Sequence, residues 1–221
     1  MTAQRQSIPS PVPPWLALAR RLPLRRLTLR RLALLPALRR LLLLLAVPAA
    51  CLGAAPAAAQ EDIALEKRVK AAYLAKLPAY ITWPEGAFAR PDAPLVFGVL
   101  GDEQIAAELA QAVAGRDLAG HPLTVRRLRE GEPLTNLHVL FVAGHGGARI
   151  AEAARVTERQ ALLLVSEAAG ALDRGSVINF MLVSERVKFD IAVDNAEKRG
   201  LKLSSRLLSV AHNVRPGSTA P

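Results

Sequence analysis

Short, dense apolar runs alternate with amphipathic segments through most of the chain. Leu95–Leu100, Leu137–Val142 (apolar but for His138) and Ala161–Val165 are of strand length, the pattern of strands covered on both faces. Pro122–Leu128 is a further strand whose Thr124, Arg126 and Arg127 place it at a sheet edge. Between these runs, Glu103–Val113 sets Ile105, Leu109 and Val113 on one helical face, and Gly144-His145-Gly146-Gly147 opens a second helix with Ile150 and Ala153. Ahead of them, Gln60–Thr82 carries Ile63, Val69, Tyr73, Leu74 and Leu77 near one face, and Pro78 kinks or ends that helix before Trp83-Pro84 closes it. Strands alternating with helices predict an α/β fold: a Rossmann-like or flavodoxin-like three-layer sandwich on a mostly parallel sheet.

The segment from Gly175 to Val193 departs from that alternation. Gly175–Val183 and Arg186–Val193 are rich in β-branched residues and flank Ser184-Glu185, which predicts a β-hairpin at the antiparallel edge of the sheet. Val187, Phe189, Ile191 and Val193 alternate with Lys188, Asp190 and Ala192, so the second strand has one buried face, while the apolar first strand is expected to be covered on both. A helix with Leu201, Leu208 and Ala211 follows, punctuated by Gly200 and by Ser204 and Ser205, which are read as helix caps. Arg215–Pro221 is expected to be a disordered tail.

These motifs resemble the YfiR family of periplasmic proteins. The similarity rests on Gly175-x-x-Ile178-Asn179-Phe180, Val187-Lys188-Phe189-Asp190-Ile191, and Asn195-Ala196-x-x-x-Gly200-Leu201-Lys202-Leu203-Ser204-Ser205-x-Leu207-Leu208. It extends to Tyr80-Ile81-Thr82-Trp83-Pro84, Leu100-Gly101-Asp102, Gly115-Arg116, Val125-Arg126-Arg127-Leu128, His138-Val139-Leu140-Phe141 and Leu163-Leu164-Val165-Ser166, in order, and so covers nearly all of residues 63–214. The resemblance implies a non-enzymatic periplasmic regulator that docks on the periplasmic sensor domain of an inner-membrane diguanylate cyclase and lowers cyclic-di-GMP; a homodimer is the other association considered. Relatives often carry a disulfide-bonded Cys just before the strand His. Here that position is Leu137, so redox control through that bond cannot operate.

Charge changes the picture only at the N-terminus. The net charge is +10, but residues 1–59 hold nine Arg and no Asp or Glu, which leaves 20 Lys+Arg against 19 Asp+Glu from Gln60 onward. The basic excess therefore belongs to a leader, and nucleic-acid binding loses its support. That leader runs from an Arg-rich segment through Leu41–Val47 to Ala57-Ala58-Ala59, the order of an export signal cleaved after Ala59; an uncleaved membrane anchor is the alternative. The expected organisation is a signal over 1–59, one domain over 60–214 and a tail over 215–221. Cys51 is the only cysteine, so no disulfide, thiol nucleophile or Cys-based metal site is available after cleavage.

In an open α/β sheet a ligand binds outside the carboxyl ends of the strands. Asp102, Gly144, His145, Gly146, Ser166 and Glu167 fall there and form the candidate ligand-binding set, with the glycine amides available to an anion. A small-molecule-binding module without a cyclase partner is thus the alternative function. A hydrolase or transferase would need His145 paired with Asp102 or Glu167; no nucleophile elbow, metal spacing or cofactor motif accompanies them. Trp83 is expected to pin the first helix to the sheet. Asn179, inside an apolar strand, must find hydrogen-bond partners and is expected to be a structural polar lock.

Overall fold

The computed structural model describes residues 55–217; the leader readings up to residue 54, with Cys51, and residues 218–221 lie outside them. Helix α1 spans Ala55–Lys76 and passes into a short 3-10 turn, Leu77–Tyr80, where Pro78 occupies the first turn. There its missing N–H costs nothing, and its ring ends the α-helix. Strands β1 (Ile81–Thr82), β2 (Leu95–Leu100) and helix α2 (Glu103–Val113) follow, then β3 (Asp117–Leu118), β4 (His121–Leu128) and β5 (Val139–Val142). Helix α3 (Gly147–Val156), β6 (Leu163–Ser166), the hairpin β7 (Ile178–Val183) and β8 (Arg186–Ala192), α4 (Val193–Glu197), β9 (Lys202–Leu203), α5 (Ser205–Val210) and β10 (Asn213–Arg215) complete the described chain. None of the described helices is long and apolar enough to cross a membrane.

The main sheet runs β10-β8-β7-β6-β5-β2-β4-β3, and β1 pairs with β9 apart from it. The strands β4, β2, β5, β6 and β7 are mutually parallel, in the flavodoxin-like order 2-1-3-4-5. One face carries α1 and α2 over Leu95, Phe97, Phe141, Val165 and Phe180; the other carries α3 through Ile150 and Ala153 over Leu140, Val142 and Leu164. The three-layer expectation therefore holds. On the α3 side, however, the stretch from β6 to β7 contains only a 3-10 turn, Leu172–Arg174, so no helix covers that face of the hairpin.

Three readings need correction. Arg215 is not tail: it ends β10, which pairs in parallel with β8 and makes β10, not the hairpin, the sheet edge. Its guanidinium meets Asp173 at 2.5 Å and donates to the Leu172 carbonyl at 2.9 Å, which draws the strand in. The first hairpin strand is covered on both faces only as far as Phe180; Leu182 beyond it is 54% exposed, because β7 outruns β6 after Asn179. The single helix expected around Leu201 and Leu208 is divided into α4, β9 and α5. Ser204 caps α5 as read, its hydroxyl accepting from the Leu207 amide at 3.3 Å.

Gly175 has φ +96° and sits where an added Cβ would lie 2.8 Å from that of Ala154, so both backbone angle and space demand glycine. Ser184 and Glu185 both take positive φ, 48° and 60°, the two-residue geometry that matches strand twist but strains residues bearing Cβ. Glu185→Gly is therefore expected to stabilise the domain by about 0.5–1 kcal/mol, read as a raised denaturant midpoint; a lowered one would show that the Glu185 side chain contributes more than its backbone strain costs.

Candidate functional site

The strand ends meet the C-terminal half of α1 at an ion network. Lys70, only 6% exposed, lies between Glu66 one turn earlier and Glu167 at the end of β6, 2.5 Å from the latter. Burial alone would lower the Lys70 ammonium; the hydrogen bonds it donates to Glu167 and Glu66 outweigh this and hold the group above its ordinary range. Glu167 uses its other oxygen to accept from the Gly144 amide at 2.7 Å. Beside this, Lys67 reaches Asp102 at 2.7 Å, and Asp102 caps α2 by accepting from the Ile105 amide at 2.9 Å. Burial would raise the Asp102 carboxyl, but Lys67 and the capping amide dominate and hold it below the usual carboxylate range.

This geometry sorts the candidate residues. Asp102, His145 and Glu167 line one open cleft of about 860 Å³. Gly144 donates its amide to the protein's own Glu167, so that donor is not free for an external anion. Gly146 is the exposed N-cap of α3, with no side chain capping that helix. Ser166 is fully buried, and its hydroxyl accepts from the Ala168 amide at 3.1 Å, so it turns the chain and does not face the cleft. With both carboxylates tied to lysines and amides, neither is left to serve His145 as a catalytic partner.

Two residues read as structural each hold a buried polar atom with no partner among the described residues. Asn179 is 8% exposed, yet its Oδ1 finds no partner among the described residues, and the side chain lines the cleft. The polar-lock expectation is not met at Oδ1: of its register neighbours across β6 and β8, Ser166 accepts from the Ala168 amide and makes no bond to it, and Asp190 offers only acceptors when ionised. Trp83 packs edge-on against Phe88 and His138, with ring centroids 6.2 and 5.9 Å away, and its indole nitrogen is buried without a partner among the described residues. It also packs against the core cluster that joins α1 to the sheet.

Phe180 acts as the core aromatic between α1 and the sheet, fully buried among Tyr73, Phe141 and Phe189. Residues missed from the sequence are Lys70, Asp190 and Arg215. Lys70 and its partner Glu66 show the i, i+4 spacing of any solvated helix face; the distinguishing contact, with Glu167, joins residues 97 apart. In the sequence, Asp190 is one of the polar positions alternating with the buried face of its strand. It meets the His212 imidazole at 3.1 Å and lines the cleft.

No curated protein matches the chain. A family model described as YfiR/HmsC-like matches residues 67–212, which takes in β1 to β9 and the C-terminal part of α1 and stops just short of β10. The match spans well over half of the chain, and its ordered motifs sit on the elements just described. The protein therefore belongs to the YfiR/HmsC-like family.

Proposed function

We propose that this protein is a non-enzymatic periplasmic regulator that restrains an inner-membrane diguanylate cyclase by binding its periplasmic sensor domain. The family match over residues 67–212 carries the reading. Two features support it: the Arg-rich, Leu-rich leader before Gln60, and the commitment of the candidate acid–base residues to internal ion pairs. Restraint then works as a population shift, in which the domain binds the inactive form of the cyclase more tightly than the active one. Apolar side chains left on the surface suit such docking: Ile63 and Leu182, each more than half exposed, share the rim of the cleft.

The test is cellular cyclic-di-GMP with the gene deleted, restored whole, or restored without residues 1–59. Deletion is expected to raise the nucleotide several-fold, and only the whole chain to bring it back. An unchanged level on deletion, or rescue by the leaderless form, would overturn the reading.

A further inference from the structure

We propose that the cleft beside the hairpin binds a small organic ammonium ion, held by Asn179 and Asp190. The proposal stands on the cleft itself and does not depend on a cyclase partner. Ser166, Asn179, Asp190 and Asn213 are successive register partners across β6, β7, β8 and β10. Facing partners in a sheet project on the same side, so these four form a polar row. The row lies on the α3 side, where only the 3-10 turn stands over the hairpin. Asn179, Asp190 and Asn213 all line the cleft, and the loop Ala169–Asp173 forms its wall.

That wall is built, not loose. The buried Asn195 amide donates to the Leu172 and Ser176 carbonyls at 2.7 and 2.8 Å. Arg215 straps β10 to the same loop through Asp173 and the Leu172 carbonyl. A pre-formed wall lets a ligand bind without the cost of ordering a loop.

The chemistry of the lining selects the ligand. Five carboxylates (Glu66, Asp102, Glu167, Asp173, Asp190) face the cleft with three cationic side chains. Each cation is already engaged: Lys67 with Asp102, Lys70 with Glu66 and Glu167, Arg215 with Asp173. An anion such as phosphate therefore finds no unspent positive partner, and a neutral sugar leaves the acidic excess uncompensated. Among the described residues the cleft atom that lacks a partner is an acceptor, the Oδ1 of Asn179, a residue more than nine-tenths buried, and the Asp190 carboxylate on the adjacent strand has the exposed His212 imidazole as its side-chain partner. A ligand that donates hydrogen bonds and carries positive charge satisfies both. Met181, Leu172 and Val214 supply apolar surface for its carbon chain.

Isothermal titration of the full-length chain with putrescine and spermidine, against glucose and inorganic phosphate at fixed ionic strength, tests this. Both amines are expected to bind at a single site, and the controls not to bind. Asp190→Asn should weaken amine binding about tenfold. Asn179→Asp, which replaces the orphan acceptor with a charged one, should tighten it, whereas a purely structural Asn179 would give no gain. Absence of amine binding, binding of glucose or phosphate in its place, or amine affinities indifferent to Asp190→Asn would each overturn the proposal. Asp190→Asn decides the matter even if Asn179→Asp fails to fold.

Discussion

Glu167→Ala is expected to lower the unfolding free energy by about 3–5 kcal/mol, the largest loss foreseen for a polar residue in this fold. The carboxylate at the end of β6 makes two bonds at once, to the Lys70 ammonium and to the Gly144 amide. Removing it leaves a lysine whose side chain is 8% exposed with only Glu66, itself a quarter exposed, and strands a backbone donor. Breaking one side of a buried ion pair costs more than the pair contributes, since the remaining charge is left poorly solvated. Lys70→Met should therefore be milder, about 1–2 kcal/mol, because it removes the charge and keeps the volume. Urea unfolding followed by far-UV circular dichroism measures both. Equal losses for the two variants, or a Glu167→Ala loss below about 1 kcal/mol, would mean that water replaces the network.

The same network shows what sequence pattern resolves and what it does not. Continuous apolar runs located β2, β5 and β6, and helical periodicity placed α2 at its observed ends, since each signal is local and repeated over several residues. The Ser184-Glu185 break marked the hairpin although neither residue is a favoured turn former. Strand β10 left no such trace. Asn213-Val214-Arg215 has a single apolar residue, and it is a strand because the edge of β8 and the acidic Asp173 receive it. The strands β1 and β9 are two residues each and exist only through one another. At the candidate site, chain-order reasoning identified the strand ends but not which groups there were spent. Glu167 and Gly144 both stand at the strand ends, but their groups satisfy each other, and Asn179, expected to find partners, keeps an oxygen with none among the described residues.

His138 carries the second large effect, and its consequence depends on pH. The ring spans two segments: Nδ1 accepts from the Val96 amide at 3.1 Å and Nε2 donates to the Ala87 carbonyl at 3.1 Å. It therefore extends the β2–β5 ladder by one bond and anchors the loop after Trp83. Its faces are used too, stacked on Phe88 at 4.4 Å, with His121 stacked on the far side of Phe88 at 3.8 Å. Burial lowers the His138 pKa; the Ala87 carbonyl works against this, and the nearby His121 adds to it. Protonation would also turn Nδ1 into a second donor facing the Val96 N–H. Well above the ordinary histidine pKa of about 6.5, the ring is neutral in both folded and unfolded chains, and its full contribution is present. As pH falls below that value the unfolded chain takes up a proton that the folded one resists, so stability declines towards the depressed folded pKa. The carboxylates held below their ordinary range, Asp102 and Glu152, act only at lower pH, and Lys70 only in the alkaline range. His138→Phe keeps the stack but strands the Val96 amide and the Ala87 carbonyl, for an expected loss of about 2–3 kcal/mol at pH 7.5. It should also flatten the fall in melting temperature between pH 7 and pH 5.5. A variant that loses stability while retaining the wild-type pH slope would assign that slope to other groups and leave His138 a packing role alone.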